Sequence, residues 1–186
     1  MFFINPFIYA GGGDFESIAT VTVGSGGAAD ITFSSIPSTY QHLQLRMICR
    51  DVGTSNAGRE LGMQFNGSTA TNYTTHQLYG DGSGAFAAVV GTSTSDPRNY
   101  PAWIPQNGTT SSAFGAVVID ILDYASTSKN TTARSLSGWD ANGSGFVLLR
   151  SGLWRLTDAV SSIKVFPNVA NFAQYSTAAL YGVKAP

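Results

Sequence analysis

The feature that most constrains this chain is a two-residue alternation of apolar and polar side chains in short segments, each closed by a turn signal. The clearest segment runs from 40 to 49. One of its faces carries Leu43, Leu45, Met47 and Cys49, and polar residues alternate on the other. Successive side chains of a β-strand point to opposite faces, so this period is typical of a half-buried strand. No segment of ten or more residues shows the 3.6-residue period of an amphipathic helix.

Segments of this kind follow one another along the whole chain, separated by turns rich in Gly, Asn and Ser. Strands are predicted over 15–23, 29–33, 40–49, around 61–65, and over 72–79, 114–122, 131–139, 146–155, 160–166 and 178–183. Residues 91–112 are rich in Ser, Thr and Pro and are predicted to form a long loop with an edge strand. Many short strands in one domain indicate an all-β, antiparallel β-sandwich with jelly-roll-like connectivity, or less often a barrel.

The composition agrees with strands and excludes several classes of partner. Only 11% of the 186 residues are charged, and the formal net charge is −1. This balance excludes the basic surface that binding to a nucleic-acid backbone requires. The single cysteine, Cys49, cannot form an intramolecular disulfide and is expected to be a small core residue. No apolar run approaches the ~20 residues that cross a bilayer, so no membrane insertion is predicted.

The first thirteen residues differ from the rest of the chain. They are apolar, contain neither Lys nor Arg, and end in three consecutive glycines. Their large side chains are Phe2, Phe3, Ile4, Pro6, Phe7, Ile8 and Tyr9. A secretory signal would need a basic start and an uninterrupted apolar region, and Pro6 interrupts this one. Because the glycines decouple the segment, 1–13 is predicted to be an arm that docks on a partner, and 14–186 a single sandwich domain. Packing of the arm on its own domain is the alternative.

The candidate catalytic groups do not form a recognised set. His42 and His76 are the only histidines, and no serine lies in the strand–turn–helix motif of a hydrolase nucleophile. Asp120 and Asp123 are candidates for a glycosidase pair, but their three-residue spacing puts them on opposite faces of a strand. The sequence therefore predicts a protein that is not an enzyme and needs no cofactor. A glycan hydrolase that uses these two aspartates is the weakest alternative.

A turn near residue 140 imitates part of a calcium loop. Asp140, Asn142 and Ser144 have the spacing of the first oxygen ligands, but the twelfth position is Ser151 and not the usual Glu. Asn142 followed by Gly143 is a strong hairpin signal. We therefore predict a hairpin turn and no metal site.

Three aromatic residues near polar loops are candidates for stacking on sugar rings. They are Tyr100, Trp103 and Trp139, and Tyr73 and Tyr79 are further candidates. In a sandwich such residues more often anchor the core or an interface. A carbohydrate-binding, lectin-like receptor-binding domain is therefore an alternative function.

Three stretches carry a resemblance to known proteins. They read SSIPSTYQHLQLRMICRD (34–51), LGMQFNGSTATNYTTHQLYGDGS (61–83) and ALYGVK (179–184). Together they resemble a loose group of small β-rich virion structural proteins of tailed bacteriophages, of the tail-fibre-like or capsid decoration type. The resemblance implies a structural or host-attachment role on the virion, as a capsid decoration, head-fibre, tail-fibre or baseplate subunit. It also implies a homo-oligomer, most often a trimer, with contacts to capsid or tail proteins and a possible host surface glycan.

Overall fold

A computed structural model describes residues 14–91 and 95–184, and this part of the chain consists of β-strands, turns and loops. Twelve strands are described in chain order. They are β1 (Phe15–Thr22), β2 (Ile31–Phe33), β3 (His42–Cys49), β4 (Gly58–Phe65), β5 (Tyr73–Gly80), β6 (Ala85–Val90), β7 (Asn99–Pro105), β8 (Gly115–Leu122), β9 (Thr131–Asp140), β10 (Gly145–Trp154), β11 (Ile163–Pro167) and β12 (Thr177–Val183). Among the described residues, no helix has the length and apolar character needed to span a membrane.

The described strands form two sheets in which every paired strand is antiparallel to its neighbour. The large sheet has eight strands in the order β1-β12-β3-β8-β9-β10-β5-β6, and the small sheet has four in the order β2-β11-β4-β7. The predicted antiparallel β-sandwich is therefore confirmed, while the jelly-roll-like connectivity stays a prediction. The predicted docking arm, 1–13, lies outside the described residues.

The core lies between the two sheets. Leu43, Leu45, Met47 and Cys49 of β3 are all buried, as their alternation predicts, and they face Leu61, Met63 and Phe65 of β4 across the interior. At one end of the core the ring of Trp154 packs against Phe65 and Tyr73, with centroids 5.5 and 6.1 Å apart. Tight packing of these side chains fixes which face of each large-sheet strand points outward.

The strands β6 and β7 lie in the region where the sequence pattern predicts strands least clearly. The edge strand predicted within 91–112 is confirmed as β7, at the edge of the small sheet. The strand β6 is not predicted, because its sequence AFAAVV does not alternate. It pairs with β5 at the far edge of the large sheet, and five of its six residues are exposed.

Candidate interaction surface

The outer face of the large sheet, which points away from the core, is unusually apolar. It exposes large apolar side chains on five consecutive strands. They are Ile48, Val118, Leu136, Val147, Leu149 and Leu78, each between 37% and 63% exposed. We call this surface the outer apolar face. Alternate positions of a half-solvated antiparallel sheet normally carry polar residues, so its composition needs an explanation.

The strand register places four of these side chains in one row. Val118 lies opposite Leu136, Leu136 opposite Leu149, and Leu149 opposite Leu78. Side chains directly opposite each other on neighbouring antiparallel strands have Cβ atoms about 4.5–5.5 Å apart. The four side chains therefore form a continuous ridge across β8, β9, β10 and β5, which we call the ridge.

A row of mostly small residues runs beside the ridge, two positions further toward the β9–β10 turn. In that row Ala116 lies opposite Gly138, Gly138 opposite Val147, and Val147 opposite Gly80. Depressions of about 300 Å³ and about 580 Å³ lie on the two sides of Val147. Three of the four residues have no side chain larger than a methyl group, so this row is lower than the ridge. We call it the trough.

A polar row borders the ridge on its other side. Asp120 accepts a hydrogen bond from Gln44 Nε2 at 2.8 Å and one from Arg134 Nε at 3.0 Å. Both carboxylate oxygens of Asp120 are thus occupied by neighbours on adjacent strands. His76 of β5 lies opposite Ser151 in the same row. The apolar ridge and trough are therefore rimmed by polar side chains, the arrangement typical of a protein interface.

The predicted catalytic candidates do not come together. Nδ1 of His42 accepts a hydrogen bond from the backbone N–H of Asp123 at 2.9 Å. Hydrogen bonds from Lys129 and Gln41 lower the pKa of the Asp123 carboxyl. His76 is four strands away from β3 in the large sheet, which corresponds to about 19 Å. The two histidines therefore cannot act on one substrate atom.

Asp120 and Asp123 are separated by their environments as well as by their spacing. Asp120 lies within β8 on the outer face, whereas Asp123 follows the end of β8 and has a φ of 48°. Each carboxylate is held by its own cation, Arg134 for the first and Lys129 for the second. The arrangement is that of two separate surface ion pairs.

The turn that imitates a calcium loop is a hairpin, as predicted. It joins β9 to β10, with the backbone N–H of Ala141 donating to Ser144 O at 2.7 Å. Asn142 and Gly143 take up φ values of 59° and 108°, the left-handed region that Asn-Gly turns favour. Asp140 Oδ1 accepts from the backbone N–H of Asn142 at 2.7 Å. Within the part of the chain that the structure describes, no group of three or more His, Cys, Asp or Glu could hold a metal ion.

The three predicted sugar-stacking residues differ in exposure, and two of them share one aromatic cluster. Trp139 is only 7% exposed and packs against Phe146, with ring centroids 5.5 Å apart. Trp103 is half-buried, its indole N–H donates to the Glu60 carboxylate, and its ring packs edge-on against Phe146. Tyr100 is half-buried nearby on β7. Phe146 thus joins the two tryptophans in one cluster.

Two further aromatic residues belong to this cluster: Tyr79, which the sequence also indicates, and Phe86, which it does not. Tyr79 packs against Trp103 at 5.3 Å and stacks on Phe86 at 5.1 Å. Phe86 is 42% exposed and lies on β6, the edge strand of the large sheet. Finding Phe86 from the sequence would have required the prediction of β6.

A buried charge network lies beneath the aromatic cluster. Arg150 of β10 is 2% exposed and donates to Glu60 Oε2 at 2.5 Å and Oε1 at 3.1 Å. It also donates to Gln77 Oε1 at 2.7 and 3.1 Å and to Tyr100 O at 3.0 Å. The guanidinium lies 5.3 Å from the centre of the Trp103 ring. One side chain thus links β10 and β5 of the large sheet to β4 and β7 of the small one.

Comparison with known proteins gives no relative. No protein-family model, curated protein or solved structure matches this chain. The surfaces described above are therefore the basis for inferring a function.

Proposed function

We propose that the protein is a non-enzymatic structural subunit of a virus particle, held in place by contacts with other protein subunits. The observation that carries this proposal is the outer apolar face, where the ridge and the trough expose apolar side chains across adjacent strands. Contiguous apolar surface of this kind is rare on monomers and marks sites of protein association. The resemblance of residues 34–51, 61–83 and 179–184 to tailed-phage virion proteins directs this general role to the virion surface.

The apolar arm, 1–13, supplies a second contact in this proposal. Its six large apolar or aromatic side chains besides Pro6 would each contribute about 1.5–3 kcal/mol on full burial, before the cost of ordering the segment. A capsid or tail protein is the partner that this arm would bind. The outer apolar face and the arm then have different tasks, one in contacts along the sheet and the other in anchoring.

A second candidate function, binding of a host surface glycan, is favoured by a separate observation. Phe86, Tyr79 and Trp103 form a ring cluster that is partly exposed at β6, the edge strand of the large sheet. The flat faces of aromatic rings suit the apolar faces of sugar rings. In this function the ring cluster would stack on the sugar, and Trp139 would not, because its ring is almost fully covered.

The test of the structural role is incorporation into particles. Virus particles from the source would be purified and the chain quantified in them, first as the natural protein and then as Leu136→Asp supplied in its place. Val169→Asp is the matched control, since Val169 is 76% exposed but follows β11 of the small sheet. We expect the natural chain and the control to be incorporated and Leu136→Asp to be lost. Absence of the natural chain from the particles would overturn the proposal.

A further inference from the structure

We propose that the outer apolar face packs against the same face of a second copy of this chain, related by a two-fold axis. The axis runs across the strands, parallel to the ridge and the trough and midway between them. This inference rests on the proposed function, since it names the partner of the surface that carries it. The contact is isologous, so each pair of residues occurs twice.

The relief of the face is complementary to itself under this symmetry. Rotation about this axis places each strand over the same strand of the second copy, with its direction reversed. The ridge of one copy therefore lies over the trough of the other. Leu136 then meets Gly138 of the second copy, since both lie on β9 one residue from the axis. By the same geometry Val118 meets Ala116 on β8, and Leu78 meets Gly80 on β5. Three of the four ridge side chains are thus received by residues too small to obstruct them.

The fourth ridge residue meets a larger side chain. Leu149 comes opposite Val147 on β10, and both are more than half exposed. The depressions on both sides of Val147 leave room for the leucine to lie beside it.

The charges at the rim are complementary under the same operation. Arg134 lies three residues before the axis position on β9, and Asp140 lies three residues after it. Each copy therefore brings Arg134, whose side chain is 64% exposed, to Asp140 of the other. On β5 the axis passes over Tyr79, so His76 faces the turn that contains Asp81. Like charges are not brought together at either place.

On β3 the operation places one cation, Arg46, opposite Ile48 of the second copy, because Ile48 lies in the row of Ala116. The guanidinium of Arg46 lies 5.3 Å from the ring centre of Phe15 and 5.1 Å from that of Tyr181. These rings belong to β1 and β12, beyond β3 in the large sheet. The charge is therefore drawn away from the ridge toward the edge of the face, where water can reach it.

The size of the face is sufficient for a stable pair. Six strands from β3 to β6 spaced by about 4.8 Å give a width of about 29 Å, and the ridge, the trough and the adjoining half of the row on each side of them cover about 20 Å along the strands. Each copy would bury about 600 Å², or about 1,200 Å² in total, which reaches the lower end of specific interfaces. A trimer with a three-fold axis would not place this face against itself, so the two-fold pair differs from the trimer that the resemblance implies.

The first experiment measures the mass of the full chain by sedimentation equilibrium over a wide concentration range. We expect twice the chain mass of 19.5 kDa. Leu136→Asp and, separately, Leu149→Asp should shift the protein to a single chain mass, whereas Val169→Asp should remain paired. Circular dichroism of each variant verifies that the fold is retained. A single chain mass for the natural protein, or three times that mass, would overturn the proposal.

The second experiment tests the symmetry. Ala116→Cys and Val118→Cys are made as separate proteins, and both residues are exposed on the outer face. After joint refolding under reducing conditions and subsequent oxidation, a disulfide should link Ala116→Cys in one chain to Val118→Cys in the other. Neither variant alone should cross-link, because two copies of the same position lie on opposite sides of the axis. Cross-linking of either variant by itself, or no cross-linking in the mixture, contradicts the two-fold arrangement.

Failure of this inference can be distinguished from failure of the proposed function. If the natural chain is monomeric but Leu136→Asp is lost from particles, the face binds a different protein and only the two-fold pair is wrong. If the chain forms the pair but is absent from particles, the pair stands and the virion role is wrong.

Discussion

Two neighbouring parts of the large sheet distribute polar and apolar residues in opposite ways. On β3 the inward residues are Leu43, Leu45 and Met47, and Gln44 and Arg46 point outward, as expected for a half-solvated strand. On β9 and β10 the inward residues include Ser135, Ser137 and Arg150, all buried, whereas Leu136 and Leu149 point outward and are more than half exposed. Midway along β9 and β10 the inward residues are therefore polar and the outward residues apolar.

The difference shows that the two faces of β9 and β10 have different kinds of partner. The inward polar groups are held by defined neighbours. Arg150 binds Glu60 and Gln77, and Ser135 Oγ donates to Pro101 O. The outward leucines lie side by side in their row and are more than half exposed. Since burial of apolar surface is the main favourable contribution to association, the outer side of this region is where a protein partner gains most.

The largest expected effect concerns the buried charge on the inward side. Arg150→Met should destabilise the protein by about 3–5 kcal/mol, because it leaves the Glu60 carboxylate without its cation next to the core. The free energy of unfolding is measured by urea denaturation. The added change Glu60→Gln should recover part of the loss. Arg134→Met on the outward side of β9 is the control and should cost at most about 1 kcal/mol, because its ion pair is exposed. Equal losses at the two arginines would break the comparison.

The leucines of the two regions provide the next contrast. Leu45→Ala should cost about 2–5 kcal/mol, since Leu45 is fully buried. Leu136→Ala, which removes the same atoms from the outer apolar face, should change the stability of the single chain by about 0.5 kcal/mol or less. Urea denaturation at high dilution separates the stability of the chain from that of its assembly. A large loss for Leu136→Ala under those conditions would show that the ridge is covered within the chain itself.

A third contrast compares a thiol on each face. Burial raises the pKa of Cys49 to about 12. In the unfolded chain a thiol ionises near pH 8.5. The pKa is higher in the folded state than in the unfolded state. The contribution of Cys49 to the free energy of unfolding is therefore fully present below about pH 8.5. It decreases as the pH rises toward 12, by about 1.4 kcal/mol for each unit. The fall in the free energy of unfolding between pH 8.5 and 10 should be absent in Cys49→Ala, and an identical fall in that variant would exclude Cys49 as its source.

Labelling compares the two faces directly. In the single chain, a thiol reagent should modify Leu149→Cys rapidly and Cys49 only on unfolding.

The sequence predicts the strands well where one face is apolar and the other polar. The alternation over 40–49 identifies both the strand β3 and its inward face. It does not identify β6. Five of the six residues of this strand are exposed, so its two faces do not need to differ in polarity. The pairing of β1 with β12, at opposite ends of the chain, depends on a register that only the assembled sheet specifies.

The candidate surface was less accessible to sequence reasoning than the strands. Each ridge residue is an ordinary strand residue when taken alone. The ridge exists only because the registers of β8, β9, β10 and β5 bring Val118, Leu136, Leu149 and Leu78 side by side. The same holds for the aromatic cluster, since Trp103 and Tyr79 are far apart in the chain and meet above Arg150 through the packing of β7 on the large sheet. Local periodicity contains no information on these long-range pairings.

The smallest expected effect concerns the exposed end of the ring cluster. If the ring cluster binds host glycan, Phe86→Ala should weaken binding about tenfold, because a stacked ring contributes about 0.5–1.5 kcal/mol beyond its buried area. Isothermal titration calorimetry with host surface polysaccharide measures this, and unfolding verifies that stability is retained. Trp139→Phe is the control, since Trp139 is almost fully covered and should not contact the ligand. A polysaccharide that binds the natural protein and Phe86→Ala equally would place any glycan elsewhere. The ring cluster would then have a packing role only, and the outer apolar face would be the surface of the described residues that a partner covers.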